Sequence, residues 1–403
     1  MSGIVLSAAV RQNLLSLQNT AELLSTTQNR LASGKKVNTA LDNPTNYFTA
    51  QGLDNRASDI NNLLDGIGNG VQVLQAANTG LTSLQKLVDT AKSIANQVLQ
   101  TTTGYTTKAN VTTTAGAVGT AGDLTTGGTT SLQGKTVILT PATGPALTLT
   151  FSNVAGAGNV NSLAALNTAI AAAGIGVTAS ISLTGFLTFT SNNDNASQSI
   201  TTSGAAAANT VSITGTTASA IVAGSGTPVV DPNSQTIRAS LVSQYNNIIT
   251  QITTTSQDSS FNGINLLFGD DLKLTFNETG KSTLSVPGVT FDAAGLGLGP
   301  LTAGTDFLDN SSANAVIAKV TAASDQLRSE ASALGSNLSI VQIRQDFAKN
   351  LINVLQTGSA NLTLADSNEE AANSQALSTR QSIAVSALAL SNQSQQSVLQ
   401  LLR

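Results

Sequence analysis

The 403-residue chain has no cysteine, no histidine and no tryptophan, and only 3% of its residues are aromatic. Without cysteine there is no disulfide framework and no thiolate chemistry, which suits a chain exported unfolded or working outside the cell. Without histidine a Ser-His-Asp triad cannot be built, a HExxH metalloprotease motif cannot be written, and zinc loses its commonest ligand. Charged residues are also scarce, at 10%, where a soluble surface usually carries about a quarter or more. The formal charge of -4 leaves no basic patch to displace counterions from nucleic acid. No apolar run approaches the roughly 18 residues that span a membrane. The opening MSGIVLSAAVRQNLLSLQ has neither the charged start nor the long apolar centre of a secretory signal. What is abundant is Ala, Leu, Thr, Ser, Asn and Gln, within a chain that is 40% hydrophobic. Such surfaces close by helix packing and amide hydrogen bonds.

The chain is organised around RLASGKKVNTALDNP, Arg30 to Pro44. Before it, Val10, Leu14, Leu17, Ala21, Leu24 and Leu31 recur at steps of four and three, with Gln28 in the one polar position. That is the narrow seam of a coiled coil. Gly34 is placed to end this helix, Lys35 and Lys36 suit its negative end, and Asp42-Asn43-Pro44 is a start signal for the next. The next helix is predicted to be long. Ala57, Ile60, Leu64, Ile67, Val71 and Leu74 form its first stripe, and Leu81, Leu84, Leu87, Ala91, Ile94 and Val98 resume it after a slip near Ala77. Gly66, Gly68, Gly70 and Gly80 lie inside it, each costing up to about 1 kcal/mol of helix propensity. With no strand before them they are not a phosphate loop; tertiary packing must support the helix.

From Thr101 to Ser225 the composition turns to Thr, Gly, Ala and Ser and the helical period disappears. KTVILT (135–140), ALTLTF (146–151), 177–181 and 186–190 alternate as strands around a short helix at 162–173, and 201–217 reads as a flexible segment. Asp123 and Asp194 have no carboxylate neighbour in sequence and read as solvated polar surface. Asp231-Pro232 restarts helix, with Ile237, Leu241, Tyr245, Ile248 and Ile252 along one face. FNGINLL (261–267) carries an Asn-Gly turn, and 272–286 reads as a β-hairpin. A Gly-rich loop leads to a second long stripe, Val316 to Leu355, and the polar stretch Asn361 to Glu370 separates it from a final helix bearing Leu377, Ile383, Ala387, Leu390, Val398 and Leu401. Both ends of the chain thus read as one rod of helices carrying the middle.

Several of these stretches together resemble the bacterial flagellins. They are NLLSLQNTAELLSTTQNRLASGKKVNTALDNP near the start, FNGINLL, and ALGSNLSIVQIRQDF, SANLTLADSNEEAA and SNQSQQSVLQLL near the end. The resemblance covers roughly Ser2 to Gln100 and Asp231 to Arg403, and residues 162–190 resemble a small repeat found inside flagellins and hook-associated proteins. Leu41-Asp42-Asn43-Pro44 departs from the usual doubly acidic stretch, LTLADSNEE replaces the usual basic, doubly acidic one, and the insert comes early.

The resemblance implies a mainly α fold with a β-rich insert. Paired N- and C-terminal helices would form a coiled-coil rod, with an inner terminal layer (residues 1–42 and 366–403). A helical second layer with a β-hairpin (43–100 and 231–365) and a small α+β outer domain (101–230) would follow. It implies a non-enzymatic subunit, without cofactor or metal, that self-assembles into the extracellular flagellar filament for motility. Its partners would be further copies of itself, the flagellar export apparatus, an export chaperone, the filament cap and hook-associated proteins. A hook–filament junction protein of the same superfamily is the alternative. Leu14, Leu17, Leu24, Leu31, Leu390, Val398, Leu401 and Leu402 are the expected polymerisation seam. A segment of the first long helix, where some flagellins present Leu-Gln-Arg-Val-Arg-Glu-Leu to a vertebrate Toll-like receptor, here reads Leu84-Gln85-Lys86-Leu87-Val88-Asp89-Thr90. Loss of both arginines and of the last leucine implies weakened recognition through Gln85, Lys86, Val88, Asp89 and Thr90.

Overall fold

The computed structural model describes residues 8–113, 118–126, 131–141, 145–201, 209–214, 222–223 and 227–401. Its helices are α1 (Ala8–Ser33), α2 (Pro44–Gln100), α3 (Leu163–Ala172), α4 (Pro232–Asp258), α5 (Asn310–Thr363) and α6 (Ser367–Leu401). α1 stops where the sequence places its end, with Gly34 at φ +69° in the left-handed conformation that closes a helix. At the head of α2, Asn43 Oδ1 accepts the Asn46 amide at 3.0 Å and Pro44 takes the first helical position.

The described chain falls into two compact units. The first comprises Met1–Gln72, Lys273–Ser285 and Leu338–Arg403, and the second Val73–Leu272 and Val286–Asn337. In the first, Ala57 and Ile60 of α2 pack with Ala348, Ile352 and Leu355 of α5, flanked by Leu53, Leu64 and Leu351. The hairpin of β12 (Leu272–Thr275) and β13 (Thr283–Val286) is the one the sequence predicts. Within the first unit it is fixed by Arg56 Nε donating to Glu278 Oε1 at 2.7 Å and by Arg344 lying 5.6 Å from the Phe276 ring centre.

In the second unit the remaining half of α2 buries Leu81, Leu84, Val88, Ala91, Ala95 and Val98. The expected stripe is right at five of its positions except that Val88 replaces the half-buried Leu87 on the innermost line, and Ala95 joins Ile94. α4 is likewise turned from the expected line. It buries Ser234, Arg238, Leu241, Tyr245, Ile249, Ile252 and Ser256, and leaves Ile237 51% exposed. On the buried face lies Arg238, which an apolar count passes over. Its guanidinium, buried with the residue 1% exposed, donates to the carbonyls of Phe307 (2.8 Å), Thr102 (3.2 and 3.3 Å) and Val98 (3.4 Å). Burial lowers its pKa, and Asp309 nearby opposes the shift. The cation lies where the last carbonyls of α2 need donors. FNGINLL serves a related end. Asn262 (φ +51°) and Gly263 (φ +81°) turn the chain so that Phe261 and Ile264 exchange backbone hydrogen bonds. Buried Asn265 then donates to the carbonyls of Ser256 and Gln257, closing the end of α4.

The insert holds two sheets. One orders β10 (Val222–Ala223), β2 (Asn110–Thr113), β7 (Leu187–Ser191) and β6 (Val177–Ile181); the other orders β5 (Asn159–Val160), β4 (Leu147–Phe151), β3 (Thr136–Thr140), β9 (Asn209–Thr214) and β8 (Ile200–Thr201). A ribbon of β1 (Tyr105–Thr107) and β11 (Val229–Val230) leads in and out. The four predicted strands and the helix are present. Residues 209–214, read as flexible from their Thr and Ala content, instead form a strand paired along most of its length with β3; other parts of 201–217 lie outside the described residues. Val137, Leu139, Phe151, Leu166, Ile170, Leu187 and Phe189 form one core. β6 is an edge strand, and Asn167 of α3 grips it. The Asn167 Nδ2 donates to the Ala179 carbonyl at 2.9 Å, and its Oδ1 accepts the Ala179 amide at 2.7 Å. A side-chain amide thereby takes the place of a neighbouring strand.

Candidate assembly surface

The connection from α1 to α2 runs beside the junction of α5 and α6. Lys36 and Val37 donate backbone amides to the Thr363 carbonyl at 2.7 and 3.3 Å, and Ala365 donates to the Gly34 carbonyl at 3.0 Å. Asp42 binds the turn from within, accepting the amides of Asn38 (2.9 Å) and Thr39 (2.8 Å), and those bonds hold its pKa below the usual value of 3.8. Asp366 Oδ1 caps α6 through the Asn368 amide at 2.8 Å. The two terminal helices are thus set side by side.

Their mutual face is only partly apolar. On α1 the buried and half-buried line is Val10, Asn13, Leu17, Thr20, Leu24 and Thr27; on α6 it is Glu370, Ser374, Leu377, Gln381, Ala384, Leu388 and Ser391. Both follow the three–four alternation of a coiled coil. Arg30 Nη1 meets Glu370 Oε1 at 3.5 Å, placing a cation at the last turn of α1 and an anion in the first turn of α6. The pair is partly exposed and adds about 0–1 kcal/mol.

The sequence seam shares Val10, Leu17 and Leu24 with this line and departs from it at the alternate positions. There Thr20 and Thr27 are the buried residues, while Ala21 is half-buried and Gln28 exposed. Consequently Leu14 (37% exposed) and Leu31 (41%) face outward, together with Leu15 and Leu23. On α6, Leu390 is 69% exposed, and Ile383 and Val385 are exposed too. Val398 and Leu401 belong to the last turns of α6, but their side chains, like all of Leu402, lie outside the described residues. The same unit exposes a further stripe on α5, Ile343, Phe347 and Val354, and Phe48 near the start of α2. So many large apolar side chains left in water at helical spacing mark surfaces for packing against another protein.

Residues 5–121 match the bacterial flagellin N-terminal helical region, and residues 317–402 match the bacterial flagellin C-terminal helical region. The chain belongs to the bacterial flagellin family. Flagellin FljM and flagellin FljK of Caulobacter vibrioides are each 32% identical to it over 165 residues, 40% of this chain and 59% of theirs. Flagellin A of Rhizobium meliloti is 38% identical over 90 residues, 22% of this chain and 23% of that protein. The chain therefore spans 59% of the length of the first two relatives.

The flagellin's other expected recognition segment lies on α2 in the second unit. Lys86, Asp89 and Thr90 are exposed there, while Gln85 is half-buried and donates from Nε2 to Ser324 Oγ at 2.8 Å. Val88 is 0% exposed. It fills the core and offers nothing to an outside partner in this fold, a distinction that spacing alone does not make. Among the described residues no group of three or more His, Cys, Asp or Glu side chains could hold a metal ion, and no helix is long and apolar enough to cross a membrane.

Proposed function

We propose that this flagellin is the structural subunit of a bacterial flagellar filament, a non-enzymatic protein that polymerises with copies of itself outside the cell. The observation that carries the reading is the outward apolar face of the paired terminal helices, Leu14, Leu31 and Leu390 above all. A lone α1/α6 pair with a half-polar seam has little reason to expose its best apolar residues. A repeating contact between unlike patches of identical subunits gives those residues partners and, because it does not close, builds a helical tube. In this reading residues 1–42 and 366–403 form the inner layer, 43–100 and 231–365 the surrounding layer, and 101–230 the surface domain. Leu17 and Leu24 hold the pair together, and Val398, Leu401 and Leu402 continue the contact at the chain end. Export apparatus, export chaperone, cap and hook-associated proteins are the further partners of this life cycle.

Purified chain, seeded with sheared filament fragments and viewed by electron microscopy, should grow hollow tubes. A product that remains monomeric under all seeding conditions would contradict the proposal. The exposed Lys86, Asp89 and Thr90 further support weak activation of the vertebrate Toll-like receptor, read in reporter cells against a flagellin with arginines in this segment.

A further inference from the structure

The insert meets the first turns of α5 at a cleft of about 700 Å³, within the size range of small-molecule sites. Its walls carry an unusual concentration of carboxamides, Asn167, Asn192, Asn195, Gln198 and Asn314, with Asp194 as the lining carboxylate. We propose that this cleft binds a neutral carbohydrate.

Each carboxamide presents a donor and an acceptor, the pairing that vicinal hydroxyl groups require. Among the described residues no Lys or Arg lines the cleft, so nothing there selects an anion, and a single carboxylate is too few for a hard cation. Two of the amides are committed to the framework. Asn167 grips Ala179, and Asn192 Oδ1 accepts the Asn195 amide at 3.0 Å. The side chains of Asp194, Gln198 and Asn314 make no hydrogen bond or ion pair among the described residues, and they remain available to a ligand.

The walls are preformed. Ser197 Oγ donates to Asp309 Oδ2 at 2.6 Å, the Ser311 amide donates to the Asp194 carbonyl at 3.1 Å, and Asp309 Oδ1 caps α5 through the Ser312 amide at 2.9 Å. These bonds fix the 192–198 loop against the helix. Gly176, at φ +71°, leaves room for Asn195, whose Nδ2 would lie 1.5 Å from any Cβ at that position. Buried Ile170 and Ile175 supply an apolar floor for the C–H face of a sugar ring.

The test is saturation-transfer difference NMR on the full monomeric chain with maltotriose, mannotriose and triacetylchitotriose, and with 3′-sialyllactose as the charged comparison. At least one neutral trisaccharide should receive saturation, and the Q198A/N314A variant, which removes no internal hydrogen bond among the described residues, should bind it roughly tenfold more weakly. Unchanged circular dichroism will show that the variant is folded. Absence of transfer to every neutral sugar, equal binding by the variant, or equal binding of sialyllactose would each overturn the assignment. Because the readout uses monomer, it is independent of filament growth.

Discussion

Arg238 is a buried cation on the inner face of α4. Its donors serve three backbone carbonyls, and among the described residues no carboxylate forms an ion pair with it. Replacing it by alanine takes the side-chain donor from the Phe307 and Thr102 carbonyls, each costing about 1–3 kcal/mol, while the Val98 carbonyl keeps the amide and hydroxyl of Thr101. Arg238→Ala should therefore lower the unfolding free energy by roughly 2 kcal/mol or more in urea denaturation of the monomer, with Arg238→Lys between the two. A loss under about 1 kcal/mol would show that water replaces the guanidinium. Asp42 gives a pH prediction. Its pKa is lowered by bonds that need the carboxylate, so its contribution is present above the ordinary value of 3.8 and is lost as pH falls through the folded-state value below it. The Asn38 and Thr39 amide shifts should titrate together with a midpoint below 3.8; a midpoint above it would mean the bonds are not made in solution. Asp42 was legible in the sequence as part of a helix start signal. Arg238 was not, because an arginine on a helix face normally reads as solvent-exposed, and its carbonyl partners come from segments far away in the chain.

At the scale of elements, the glycines of α2 divide into two kinds that spacing does not separate. A Cβ at Gly66 would meet nothing within 4 Å, whereas one at Gly80 would lie 2.1 Å from Ser259 Oγ and 2.6 Å from its Cβ. Gly66→Ala should stabilise the monomer by about 0.5–1 kcal/mol through helix propensity alone. Gly80→Ala should destabilise it by about 1–3 kcal/mol through overpacking. Thermal unfolding of both variants checks the pair, and shifts of the same sign would refute the distinction. The terminal helices teach a related lesson. A three–four alternation fixes the existence of a seam, but two registers share Val10, Leu17 and Leu24, and the one with more apolar residues, taking Leu14, Ala21 and Leu31, is not the one buried against α6. The choice of Thr20 and Thr27 for the inside is made by the partner face of α6, with its Gln381, Ala384 and Ser391. Strands were easier to read, since β3, β4, β6 and β7 alternate cleanly; β9 was hidden by a Thr- and Ala-rich neighbourhood that resembles a linker.

For the whole molecule, the absence of histidine and cysteine excluded chemistry that needs those side chains before any fold was known, and the terminal stretches carried the family. Which residues remain for contact with other copies could not be read from one chain's periodicity, because internal and external partners use the same spacing. In the proposed filament the outward faces of α1 and α6 are those contacts. The most direct test is seeded assembly of a variant in which Leu14, Leu31 and Leu390 are replaced by asparagine, beside the unaltered chain. These side chains are 37%, 41% and 69% exposed, so the monomer should keep its circular dichroism and its urea midpoint. By electron microscopy the unaltered chain should give tubes and the variant none. Tubes of normal length and yield from the folded variant would contradict the proposed contacts.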